Sequence, residues 1–191
     1  MNLQKPLAFL CLTASILGCP PMTTAQEPPP PPKPMAEHKI LAEDEGTWDA
    51  TIKSFVAGPD AEPMVSKGTE VNTVMPGGLW VLSKFEGSFG DAKFEGRGQF
   101  GYDSAKKKYV GTWIDSMSPS LSILEGTYDA KTRTMTFEGD GYDPSTKTKY
   151  TQKMVTTTKE DGKRVFTLYM KFDGGGDEVK FMEVEYTRRK S

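Results

Sequence analysis

Apolar and polar residues alternate along most of the chain after residue 46, which is the pattern of half-buried β-strands. Short connections rich in glycine, proline and aspartate separate the alternating runs and leave no room for long crossovers. The predicted strands are Gly46–Phe55, Val65–Met75, Leu79–Gly87, the two runs of the hairpin Gly96–Ser116, Leu121–Tyr128, Thr134–Gly141, Tyr150–Thr158, Val165–Phe172 and Val179–Arg188. About ten strands joined as a meander predict an all-β protein, an antiparallel up-and-down barrel without free sheet edges.

One short helix is predicted ahead of the strands, over Met35–Glu45, where it would pack against a barrel end. It carries His38, the only histidine of the chain. A lone histidine is either a haem or metal ligand or a residue of the helix surface. The second interpretation is favoured, because no partner ligand stands at metal-site spacing.

The N-terminal segment has the features of a targeting sequence. Residues 1–25 combine a short positive start with an apolar stretch too short to span a bilayer, which predicts a secretory signal. Two processing sites compete: a lipobox-like sequence ending at Cys19, which would be lipidated, and small residues at 23–25 that suit ordinary signal peptidase. Residues 26–36 predict a stiff proline-rich linker. The barrel domain is predicted over 37–191, exported to the periplasm or cell envelope with a lipid tether through Cys19.

Composition excludes several classes of function. The 191 residues carry a net charge of -2 without a basic block, which argues against nucleic acid as a partner. Both cysteines, Cys11 and Cys19, lie in the predicted leader. The domain therefore has no disulfide and no cysteine metal site.

Few motifs point to chemistry. The run from Gly96 to Gly101 fits G-x-G-x-x-G letter for letter, but a dinucleotide site needs a helix after these glycines and here the strand period continues. The chain has no nucleophile-elbow, zinc-protease or P-loop motif. No catalytic residue, metal site or cofactor is predicted.

A ligand cavity inside the barrel is the strongest functional hypothesis. Its predicted lining is Trp80, Tyr102, Trp113, Asp115 and Glu125. Small residues beside these aromatics would leave volume unfilled if they point inward, namely Gly96, Gly98, Gly111 and Thr127. Asp115 has a second interpretation, as a solvated residue that begins the next loop.

Two resemblances add to this interpretation. Gly46-Thr47-Trp48 resembles the G-x-W of lipocalin-type barrels, in which a first-strand tryptophan plugs the closed end. From His38 to Arg189 the chain also resembles the bacterial domain of unknown function 1579 family. The motifs that carry it are His38-x-x-Leu41, Gly46-x-Trp48-Asp49, Gly101-Tyr102-Asp103, Tyr109-Val110-x-x-Trp113-Ile114-Asp115-Ser116-Met117, Glu125-Gly126-Thr127-Tyr128 and Met182-Glu183-x-x-Tyr186-Thr187-Arg188. This resemblance implies exported, lipocalin-like barrels and brings no catalytic residues.

Three functions remain open from the sequence. The leading one is an exported barrel, more a binding protein than an enzyme, that holds a small, partly apolar ligand. The alternatives are an enzyme that uses Asp115 or Glu125 as a cavity acid or base, and a ligand-free structural or interaction domain of the cell envelope.

Overall fold

A computed structural model of the protein describes residues 30–56, 58, 61–144 and 146–190. The chain divides into two units, Met1–Pro31 and Pro32–Ser191, and the second contains the barrel. The predicted signal segment, Cys19 and the first residues of the predicted linker lie outside the described residues. These predictions therefore stay predictions.

The described chain is one short helix followed by ten strands, with 65% of the residues in strands. The elements are α1 (Ala36–Ala42), β1 (Gly46–Ser54), β2 (Met64–Val74), β3 (Trp80–Phe89), β4 (Ala92–Asp103), β5 (Lys108–Asp115), β6 (Ser118–Asp129), β7 (Thr134–Asp143), β8 (Thr148–Thr158), β9 (Arg164–Phe172) and β10 (Val179–Arg188). In the described part of the chain, no helix is long and apolar enough to cross a membrane.

Each strand pairs antiparallel with the next one in sequence, and the last pairs with the first, so the sheet closes on itself. The closing ladder between β1 and β10 runs from Trp48 opposite Arg188 to Ser54 opposite Met182. Closure gives every strand two hydrogen-bonded neighbours and removes the free edges of the sheet. The predicted ten-stranded up-and-down barrel is confirmed.

The inward face of β1 is the one that its alternation predicts. Trp48, Ala50 and Ile52 are each at most 2% exposed and belong to one apolar cluster. A second cluster forms below α1, where Leu41 packs with Tyr109 and Leu124. The helix thus covers one end of the barrel, called the α1 end below. The opposite end, formed by the β1–β2, β3–β4 and β5–β6 connections among others, is called the mouth.

The glycines of the central hairpin make room for aromatic rings and do not leave space empty. A Cβ added at Gly96 would lie 2.1 Å from the indole of Trp113, and one at Gly98 would lie 2.9 Å from the same ring. At Gly111 the ring in the way is that of Phe100, at 2.5 Å. The indole therefore lies flat on the backbone of β4, and the G-x-G-x-x-G run is explained by packing.

Candidate ligand-binding cavity

The barrel encloses a cavity of about 760 Å³ that extends from the α1 end to the mouth. Its wall includes Ile40 and Leu41 at the α1 end and Val56 and Met117 at the mouth. Because Val56 and Met117 are each 54% exposed, the cavity reaches solvent at the mouth. The volume falls within the range typical of small-molecule sites in proteins.

The middle of the cavity is apolar. Side chains that line this part are Phe85, Phe100, Phe137, Met154, Phe166, Leu168 and Met170. Aromatic and methionine side chains give large, adaptable contact surfaces for an apolar molecule. Polar residues on the wall include the pair Gln152 and Ser122, in which Gln152 Nε2 donates to Ser122 Oγ at 2.8 Å.

Two of the predicted site residues, Trp113 and Asp115, lie on the cavity wall. The side chain of Asp115 is already engaged: its Oδ1 accepts hydrogen bonds from the backbone N–H groups of Met117 and Ser118, each at 2.9 Å. Its Oδ2 accepts one from Trp113 Nε1 at 3.2 Å. Both sequence interpretations of Asp115 therefore describe it in part, because it holds the β5–β6 turn and also faces the cavity.

Glu125 and Trp80 lie on the outer face of the barrel, which corrects their predicted placement. Glu125 binds Lys106 Nζ at 2.7 Å and Lys108 Nζ at 2.9 Å. The hydrogen bond from Lys106, followed by that from Lys108, lowers the pKa of Glu125 to about 2. Trp80 is 39% exposed and its ring covers Gly101, its cross-strand partner on β4.

Tyr102 points inward but lies beneath α1 and is not part of the cavity wall described above. Its ring meets the ring of His38 edge to face at 5.8 Å and that of Tyr109 at 5.2 Å. His38 is 7% exposed, and its Nδ1 accepts a hydrogen bond from the backbone N–H of Met35 at 3.0 Å. This histidine is therefore a buried structural residue, not a residue of the helix surface.

The α1 end of the cavity contains a buried ionic cluster centred on Arg164. This side chain is 4% exposed; its Nη1 lies 3.0 Å from Asp44 Oδ2 and its Nη2 lies 2.8 Å from Glu70 Oε1. The same Glu70 oxygen accepts a hydrogen bond from Asn72 Nδ2 at 2.7 Å. Although burial opposes its charge, Asp44 and Glu70 raise the pKa of Arg164. Desolvation raises the pKa of Asp44, and the attraction of Arg164 opposes that rise.

Trp48 forms the floor beside this cluster. The guanidinium carbon of Arg164 lies 3.8 Å from the centre of the Trp48 ring, and that of Arg188 lies 4.2 Å from it. The indole Nε1 donates to the backbone oxygen of Asp44 at 2.9 Å. Tyr186 is also near Arg164, and burial raises its pKa well above the ordinary value. A tryptophan held between two cations seals this part of the barrel.

Sequence reasoning missed this cluster, because its members come from three separated segments. Glu70 and Arg164 are 94 residues apart. The one local signal was that Gly68, Glu70 and Asn72 share a face of β2. That face is as polar as the opposite one, so it did not stand out as the inward face. Alternation alone therefore did not indicate that a carboxylate and an amide point inward.

No group of three or more metal-ligating side chains occurs within residues 30–56, 58, 61–144 and 146–190.

A family model described as "Protein of unknown function (DUF1579)" matches residues 33–188. No curated protein is significantly similar in sequence. Among solved structures, the fold is similar to that of the S-type phycobiliprotein lyase CPES from Guillardia theta, with a TM-score of 0.57 and 14% sequence identity. The match covers 82% of this chain and 94% of the lyase chain.

Proposed function

This chain belongs to the DUF1579 family of proteins of unknown function, and we propose that it is an exported barrel that binds one small, partly apolar molecule in its interior. The observation that carries the proposal is the cavity of about 760 Å³ with an apolar middle and polar groups toward both ends. A concave, largely apolar site with a few placed polar groups is the usual form of a small-molecule site.

The alternative of an enzyme with a cavity carboxylate receives less support. Glu125 lies outside the barrel and is paired with two lysines. Asp115 is on the cavity wall, but three hydrogen bonds to neighbouring groups use three of the about four acceptor positions of its carboxylate. A general base needs a free acceptor position within reach of the proton that it removes, and Asp115 retains about one. Binding without chemistry is therefore the better-supported function.

The alternative of a ligand-free structural domain predicts a barrel filled by its own side chains. Aromatic rings do fill the space above the glycines of β4, where Trp113 covers Gly96 and Gly98. A cavity remains inside the barrel even so, and its wall includes the rings of Phe100 and Trp113 themselves. A phycobiliprotein lyase has a similar fold. The same fold serves proteins of different functions, so the fold alone does not determine an activity.

Ligand binding is tested by two measurements on the purified protein. Native mass spectrometry of protein from its own host should detect a co-purifying small molecule. An environment-sensitive apolar dye should bind saturably and quench tryptophan fluorescence. Thr156 lines the cavity, and its replacement by the larger phenylalanine would fill part of that volume. Thr156→Phe should therefore weaken dye binding at least about tenfold, equivalent to about 1.4 kcal/mol.

The matched control is Thr127→Phe, which adds the same ring on the exposed outer face of β6. It should leave dye binding unchanged while the far-ultraviolet circular dichroism of both variants stays native. If the dye does not bind, or if both variants weaken it equally, the cavity is not a binding site and the structural alternative takes its place.

Export and lipidation form a separate part of the proposal. In cells, Cys19→Ser should release the protein from the membrane fraction or leave the leader uncleaved. A wild-type mature protein that begins at Gln26 would contradict lipidation but would still agree with export.

A further inference from the structure

We propose that the polar end of the ligand is an uncharged hydrogen-bonding group, such as an alcohol or an amide, and that it is held beside Ser83 and Asn72 at the α1 end of the cavity. This inference rests on the proposed function above, because it concerns the ligand of the same cavity. It adds the chemical class of the group that the α1 end recognises.

One hydroxyl of the described cavity wall, that of Ser83, is unused. Ser83 is 7% exposed and lies on the cavity wall, and its side chain has no hydrogen-bonding partner among the described residues. Its cross-strand partner is Asn72, which is 5% exposed and also lines the cavity. The hydrogen-bonding capacity of this hydroxyl is therefore free toward the cavity, and a ligand group that can donate or accept would use it.

The charged groups at this end of the cavity balance one another. Asp44 and Glu70 both bind the single guanidinium of Arg164, at 3.0 and 2.8 Å. Arg188 lies 4.2 Å from the centre of the Trp48 ring and its charge also acts on Asp44, so two carboxylates and two guanidiniums leave this part of the wall without net charge. An anionic head group placed here would lose its hydration in a poorly screened interior and would gain no net attraction in return.

The neighbouring cation, Arg188, is already used. Arg188 stacks on the ring of Trp48 with 4.2 Å between guanidinium carbon and ring centre. Its two terminal nitrogens donate to the backbone oxygens of Glu43 and Glu45. No cation of the Arg164 cluster is therefore available to pair with a carboxylate ligand. A neutral hydrogen-bonding group is the one that both the free hydroxyl and the charge balance accept.

The test compares two probes that share one alkyl chain. 1-Dodecanol and dodecanoate are titrated at pH 8 into the protein loaded with the apolar dye, and displacement of the dye gives each affinity. Dodecanol should bind at least about tenfold more tightly than dodecanoate. Ser83→Ala should weaken dodecanol binding several-fold and leave the already weak binding of dodecanoate unchanged.

A charge variant sharpens the test. Asp44→Asn removes the half-buried carboxylate of the cluster and should strengthen dodecanoate binding about tenfold, with little change for dodecanol. The control is Asp49→Asn, which removes the same charge from the exposed outer face of β1, where Asp49 pairs with Arg189. It should change neither affinity.

The outcomes separate the two proposals. If both probes bind equally well, or dodecanoate binds more tightly, or Asp44→Asn leaves dodecanoate unchanged, the neutral head group is refuted while cavity binding stands. If neither probe nor the dye binds, the proposed function fails together with this inference.

Discussion

Truncation of Trp48 tests whether the barrel is sealed and stabilised at the point where its first and last strands meet. The side chain is 2% exposed and packs in the cluster that contains Ile52 and Val184. Trp48→Ala removes a buried indole, and such truncations cost about 3–5 kcal/mol. It also removes the 2.9 Å hydrogen bond to the backbone oxygen of Asp44, worth about 0.5–1.5 kcal/mol. The expected loss in free energy of unfolding is therefore about 4 kcal/mol or more.

Two further variants divide this loss into parts. Trp48→Phe keeps an aromatic ring between Arg164 and Arg188 but removes the N–H donor, so its cost should be about 1–2 kcal/mol. Trp80→Ala is the matched control, because Trp80 is the same residue type on the outer face and is 39% exposed. Its cost should be at most about 1.5 kcal/mol, since much of that ring stays in water in the folded state.

The assay is urea unfolding followed by circular dichroism, because tryptophan fluorescence changes with the substitutions themselves. The m-value must stay constant for the midpoints to report stability. A loss below about 1 kcal/mol for Trp48→Ala would refute the sealing role. A loss for Trp80→Ala equal to that of Trp48→Ala would refute the assignment of inner and outer faces.

Three other predictions concern Gly96, Glu125 and Tyr109. Gly96→Ala places a methyl group 2.1 Å from the Trp113 ring. It should lower the free energy of unfolding in urea by about 1–3 kcal/mol and shift the fluorescence emission of Trp113. Unchanged stability and emission would contradict the flat packing of the indole on β4. Glu125→Gln breaks an exposed pair with Lys106, so it should change stability by less than about 1 kcal/mol and leave dye binding intact; lost binding would restore Glu125 to the site. Burial raises the pKa of Tyr109 to about 12. The stability that the neutral tyrosine contributes is therefore complete below pH 10 and is lost as pH rises from 10 to 12. Urea unfolding at several pH values should show this loss in the wild-type protein and not in Tyr109→Phe.

The order and type of the elements could be predicted from local pattern because each strand pairs with its neighbour in sequence. On β5, Tyr109 and Gly111 are buried and Trp113 lines the cavity, so these alternate residues share the inward face, a direction that the sequence analysis left open. In such a meander, turn residues and a period of two contain most of the information that determines the topology. The position of Trp48 after a glycine at the first strand was a further local signal, and the residue is buried as that signal implied.

Where both faces of a strand contain large apolar residues, contacts with the neighbouring strands determine which face points inward. On β3, Trp80 and Leu82 alternate with Val81, Ser83 and Phe85, and both faces contain large apolar residues. The barrel turns Phe85 inward, and Trp80 covers the glycine opposite it on the outer face. A single strand cannot show this, because the choice depends on which neighbour leaves room for the ring.

The candidate site shows the same limit more strongly. Asp44, Glu70, Asn72 and Arg164 come from the chain just after α1 and from two strands, and closure of the barrel brings them together. Each is an ordinary polar residue in its own segment, with nothing local to indicate that it is buried. Ionic and hydrogen-bonding groups become a site when they lose water together, and that loss is a property of the enclosed interior rather than of any segment.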